Sequence, residues 1–232
     1  VFELDSNPMA TFDVTVYTSK EAHSNDGFDA RDMAIEFIEG AFNRSDNHSV
    51  DATASDSIVD APVEYANDPF KGPMPCHSYR TWYDDLLHWF REWLDCNEPS
   101  EIATDCNLLV TYGTTGGLGG GDDAYACVGE KLVQFDSYEE YGYETKHDSV
   151  DTLLEELGHA LVSNMENEDD DKVAHDSGYI FHHSEGNTIT PIGITGDTDY
   201  NNCNVYVNKD RWDGEGWEAR YSQCTEDNFV KN

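Results

Sequence analysis

The chain has 232 residues and a mass of 26.1 kDa, enough for one globular domain or at most two small ones, with a core burying roughly 70% of the unfolded surface. Its 48 Asp and Glu stand against 13 Lys and Arg, giving a formal net charge of −35 and a sequence pI near 4.1, which argues against nucleic acids and anionic membranes as partners. A solvated disordered tail is excluded as well, because 38% of the residues are hydrophobic and 12% aromatic.

Residues 11–17, TFDVTVY, alternate and are β-rich, predicting a first strand. Residues 29–43 then place Met33, Phe37, Ile38 and Ala41 at helical spacing behind Asp29, a candidate N-cap. A second strand is expected over 57–65, followed by a loop from Pro69 to Pro75. Helix resumes near residue 78, where Tyr79, Trp82, Leu86, Trp89, Phe90, Trp93 and Leu94 recur three and four apart. Aromatics at that spacing are expected to form core rather than a ligand platform.

NLLVTY at 107–112 reads as a buried strand, and it runs into the glycine-rich TGGLGGG at 115–121. That stretch lacks the Lys-Ser/Thr ending of a phosphate loop and the strand-turn-helix context of a dinucleotide fold, so a flexible surface loop is expected. Two short strands follow at 124–128 and 131–135. Ser149 is a candidate cap for a helix running to about Met165, with Asp151 in its first turn favouring the dipole. Val150, Leu153, Leu154, Leu157, Leu161 and Met165 lie on one side of that helix, and Glu155, Glu156 and His159 on the other.

An acidic segment, the loop-like GNTITPIGITGDTDYNN and a short terminal helix within EARYSQCTEDNF complete the chain. No repeat or linker divides it, so residues 1–232 are read as a single α+β domain. Its N-terminal sheet and helix part covers 1–148, and the motif helix with the C-terminal part covers 149–232.

The acids are spread evenly, with 22 in residues 1–120 and 26 in 121–232. A carboxylate shell of this density repels itself at ordinary salt, whereas above ~1 M salt the Debye length falls to about 3 Å and the repulsion is screened. The composition, with only seven lysines, therefore points to a halophile. Six cysteines, Cys76, Cys96, Cys106, Cys127, Cys203 and Cys224, contain no CxxC pair, which favours disulfides in an oxidising compartment over a zinc ribbon or redox motif. Spacing suggests Cys96 with Cys106 and Cys203 with Cys224, leaving Cys76 with Cys127.

The sequence begins at Val1 and contains no apolar run approaching ~20 residues, so membrane insertion is not expected and a processed, exported product is. Asn43-Arg-Ser and Asn47-His-Ser are N-x-Ser sequons, candidate glycosylation sites in an exported chain.

Within LLEELGHAL, Glu155 and His159 are four apart on one helix face, with Glu156 one residue along. Two helix-borne ligands, a third from elsewhere and a carboxylate to take a water's proton are what a zinc hydrolase needs. The order of strand, helix, strands, glycine-rich stretch and LLEELGHAL resembles the zincin metalloproteases, specifically the secreted metzincin-like peptidases of haloarchaea. In that family the helix motif reads HExxH, a third His follows a chain reversal, and a Ser/Thr-Pro-Met turn floors the metal.

The resemblance implies a zincin-like fold: a mixed sheet, a central motif helix and an irregular, disulfide-bonded C-terminal part. It also implies Zn²⁺ held by Glu155, His159 and His175, with Glu156 as general base. Glu155 stands where the family has its first His, His175 in AHDSG is the nearest third ligand, and Thr190-Pro191-Ile192-Gly193 resembles the Met turn with Ile for Met.

Alternatives remain beside that reading. EELGH also fits an ordinary solvated helix face with an i,i+4 Glu-His contact. Asn167 to Asp171, and Asp197, Asp199 and Asn201, offer oxygen ligands for Ca²⁺ but lack the glycine and closing Glu of a helix-loop-helix site. No Ser sits in G-x-S-x-G. Two functions are thus expected: a halophilic zinc endopeptidase relative acting on peptides or proteins, or a zincin-derived protein that has lost catalysis and self-associates into an extracellular filament or surface layer. Either is placed outside the cell or on the surface of a halophilic archaeon.

Overall fold

The alternating pattern of ATFDVTVYTS makes β1 (Ala10–Ser19) a strand with two buried faces. Phe12, Val14 and Val16 point into one cluster and Tyr17 into another. The structure, a computed structural model, describes residues 10–45, 47–61, 70–71, 82–83, 85–98, 100, 102–111, 117–120, 125–128, 148–162, 180–182, 187–191, 216–217 and 219–231. Among them the chain is a mixed α+β protein. At the end of β1, Ser19 Oγ accepts from the Ala22 N–H at 3.1 Å and starts α1 (Lys20–Asp26). Gly27, at φ 65°, closes it in the left-handed region that glycine enters without steric cost.

α2 spans Asp29–Asn43, the expected range. Its N-cap is Phe28 without a side-chain hydrogen bond, so Asp29 lies in the first turn and favours the dipole instead of capping. Ala30, Ala34, Phe37, Ile38 and Ala41 form its buried face.

β2 (His48–Val59) pairs in parallel with β1 over almost its whole length. It begins nine residues before the expected 57–65, because HSVDATASDSIV is mostly small and polar and carries little apolar periodicity. Residues 62–65 lie outside the described set. β3 (Phe70–Lys71) and β4 (Trp82–Tyr83) form a small antiparallel pair. Trp82 therefore belongs to a strand, and α3 (Leu86–Asn97) starts later than expected, where Asp85 accepts from the His88 N–H at 2.7 Å. Trp89, Phe90 and Leu94 face inward, as core.

β5 (Cys106–Val110) is fully buried and parallel to β1. β6 (Gly117–Gly120) lies inside the stretch expected to be a loop and pairs antiparallel with β7 (Tyr125–Val128), itself parallel to β5. The five-stranded sheet has the order β2-β1-β5-β7-β6. The expected strand at 131–135 falls outside the described residues.

α4 (Asp148–Leu161) packs on the same side of the sheet as α2: Val150, Leu153, Leu154, Leu157, Ala160 and Leu161 join the α2 side chains and Phe12, Val14, Leu108 and Val110 in one cluster. α3 covers the other face with Tyr17 and Leu109. Each fully buried Leu of α4 contributes roughly 2 kcal/mol of transfer free energy. The helix ends at Leu161, short of Met165, which is not described.

β8 (Ile180–His182), β9 (Asn187–Ile189) and β10 (Gly216–Trp217) make a separate three-stranded sheet. α5 (Gln223–Asp227), capped by Ser222, is the expected terminal helix. It carries the chain back over the first half. Phe229 packs within 6 Å, ring centre to ring centre, of Phe12, Phe42, His48 and Tyr221. Tyr221 Oη donates to Leu154 O at 2.7 Å, Val230 N to Leu161 O at 3.0 Å and Lys231 Nζ to Thr11 O at 2.7 Å. The C-terminal segment thus clamps α4 to β1.

The full set of three disulfides is not formed. Cys96 and Cys224 are disulfide-bonded, but Cys106 is a free thiol with no solvent exposure, so the expected Cys96–Cys106 bridge is overturned. The reason is topological: Cys106 points from β5 into the α2 and α4 side of the sheet, whereas α3 lies across the sheet and Cys96 on it is exposed. Cys106 serves as a small core hydrophobe. The side chains of Cys76, Cys127 and Cys203 lie outside the described residues.

Candidate functional site

The EELGH pentad occupies the middle and last turns of α4, held from below by its buried leucines. Glu155 and His159 come together across one helical turn: His159 Nε2 lies 3.9 Å from Glu155 Oε1, with side chains 14% and 15% exposed. Two ligand atoms on one tetrahedral Zn²⁺ at about 2.1 Å each stand roughly 3.4 Å apart, so this spacing needs only a small side-chain adjustment. A carboxylate oxygen and an imidazole nitrogen converging in this way fit a divalent cation. They are two of the four donors such a site takes.

Glu156 is not on an open solvated face. Strand β6 lies directly over it, and Gly119 donates its backbone N–H to the Glu156 carboxylate. The approach is close enough to require glycine. A Cβ at Gly117 would stand 2.8 Å from Glu156 Oε1, and one at Gly119 would stand 2.7 Å from His159 Cβ. Burial and, second, the neighbouring Glu155 carboxylate push the Glu156 carboxyl up to about 8, against the opposing pull of the Gly119 N–H.

The close approach of these two glycines to α4 differs from the surface loop expected for this stretch. Their signal was present in the i, i+2 spacing of Gly117 and Gly119, the period of a strand with one face stripped of side chains.

His175, the expected third ligand, lies outside the described residues, as do Asn167 to Asp171, Asp197, Asp199 and Asn201. Among the described residues no group of three or more His, Cys, Asp or Glu side chains is placed to hold a metal ion. Of the turn at Thr190-Pro191-Ile192-Gly193, Thr190 and Pro191 are buried after β9, and Ile192 and Gly193 are not described.

Three further histidines have described side chains. His88 lies 3.5 Å from Glu92 on α3, and the His23 ring is tilted by 53° against Phe28 at 4.5 Å. His48 Nδ1 accepts from Ala10 N at 3.4 Å, which leaves its Nε2 to donate to Glu226 O at 2.9 Å.

Compared with known proteins, the chain matches no protein-family model and no curated protein. No helix among the described residues is long and apolar enough to cross a membrane.

Proposed function

We propose that the chain is an exported, high-salt relative of the zincin endopeptidases in which α4 carries an altered metal motif. The observation that supports this reading most is the joint placement of Glu155, Glu156 and His159. The first and last converge on one point, and the middle one is held under an edge strand by a backbone N–H. In this reading Glu155 and His159 hold Zn²⁺ with His175 as the third ligand.

Zn²⁺ there would supply a Lewis acid that makes a water acidic near neutral pH. Glu156 takes the water's proton at its carboxylate and passes it to the leaving amine, while Gly119 fixes the carboxylate's position. A peptide or protein is the substrate class.

One observation favours the loss of catalysis that a second reading requires, that of a zincin-derived protein which assembles with its own copies. With its carboxyl pushed up to about 8, Glu156 is protonated at neutral pH unless a cation draws the proton off, and a protonated Glu156 is no base. Metal content separates the two. Zinc at one per chain, lost in His159→Ala, supports the peptidase relative; a metal-free protein that sediments as a polymer in high salt supports assembly.

A further inference from the structure

The two sequons, Asn43-Arg-Ser and Asn47-His-Ser, are four residues apart, and the fold treats them differently. Asn43 ends α2 with its side chain exposed, and its amide has no hydrogen-bond partner among the described residues. It stands at the mouth of a cleft of about 490 Å³ between the end of α2 and the start of β2. Exposed Glu39 and half-buried Ser49 and Val50 line it beside Asn43, so nothing in the core has to move to admit a sugar there.

Asn47 is in the opposite situation. Its Nδ2, the atom a sugar would be attached to, donates to Glu226 Oε2 at 3.4 Å, and Glu226 on α5 is only 5% exposed. Ser45 also hydrogen-bonds the Glu226 carboxylate, and its Oγ accepts from the backbone N–H groups of Asn47 and His48 at 3.3 and 3.1 Å. A sugar ring on Asn47 would need the volume that α5 fills. It would also lift the C-terminal segment whose Tyr221 and Val230 hold α4.

We propose that Asn43, and not Asn47, carries the glycan of the folded protein. This rests on the reading of the chain as an exported protein. The order of events does not alter the selection: a sugar added to Asn43 before folding leaves every contact of α5 in place, whereas one added to Asn47 prevents the C-terminal segment from closing.

The test is secretion of the full chain, with an export leader attached, from a halophilic host that N-glycosylates its exported proteins. The folded protein is recovered from the medium in high salt for intact-mass and glycopeptide measurement. The expected result is one glycan at Asn43 and a bare Asn47, with the added mass lost completely in Asn43→Gln and retained in Asn47→Gln. A glycan on Asn47, or a bare Asn43, in folded secreted protein overturns the assignment while leaving the export reading intact. Protein that folds when made inside the cell but not when secreted, in Asn47→Gln as in wild type, overturns the export reading on which the assignment rests.

Discussion

Gly119 gives its backbone N–H to Glu156 and has no Cβ to hold β6 away from α4. Main chain therefore lies directly over the carboxylate. Gly119→Ala places a methyl group against His159 Cβ, 2.7 Å away, and forces strand and helix apart, at about 2–3 kcal/mol. Thermal unfolding in high salt should show that loss for Gly119→Ala; an unchanged midpoint would mean that β6 yields freely.

The pH dependence of stability follows from Glu156. Its folded-state value is raised, from 4.5 to about 8, so the folded state holds the proton more tightly than the unfolded one. The stabilisation is complete below pH 4.5 and is lost as pH rises through about 8. Partial exposure of the side chain reduces the effect to about 2–4 kcal/mol across that window. The difference between wild type and Glu156→Gln, measured without metal, should therefore move steadily in favour of Gln as pH rises. A difference that stays constant would place Glu156 in water.

Glu155→His is expected to raise zinc affinity by about tenfold or more, because neutral imidazole replaces a carboxylate that repels Glu156. Adding Glu156→Gln should keep the zinc and abolish peptidase activity. Calorimetry in high salt beside a labelled-peptide assay reads both. If Glu155→His gains no zinc and His159→Ala changes nothing, these side chains do not converge on a metal.

The net charge of −35 predicts a salt requirement of about 1 M. Circular dichroism during dialysis follows it. A native spectrum that survives unchanged in ~50 mM NaCl would contradict the halophilic reading.

Burial, and second the Asp105 carboxylate beside it, push the Cys106 thiol far above its ordinary range. It should resist thiol reagents in the native state and react once on unfolding. Cys106→Ser puts a hydroxyl among Leu108, Val110 and Leu157 and is expected to cost about 1–3 kcal/mol, more than Cys106→Ala. Rapid labelling of native Cys106 would show that β5 opens.

The parts of this fold that were legible in the sequence are those whose side chains repeat with a clear period. β1, α2 and the buried face of α4 were fixed by Phe, Ile and Leu at strand or helix spacing. β2 was misplaced because an edge position beside β1 asks for little apolar surface, and Ala52, Thr53 and Ala54 supply little. β6 was read as a loop because glycine carries no pattern of its own; the reason for Gly117 and Gly119 lies on α4, more than 35 residues away. The Cys96–Cys106 pairing failed for a similar cause. Short spacing brings two cysteines near in sequence, but the sheet sets them on opposite sides.

The contact between Lys231 Nζ and Thr11 O closes a sequence separation of 220 residues, and with Tyr221 and Val230 it fastens α4. Those anchors are synthesised after every other element described above. β1, α2 and β2 have their mutual partners early, but the helix bearing Glu155, Glu156 and His159 stays unfastened until residues 221–231 have been made and brought back. Such long-range closure is slow compared with local helix formation. The candidate site on α4 is consequently completed in one late event, after the strands and helix that precede it have found one another.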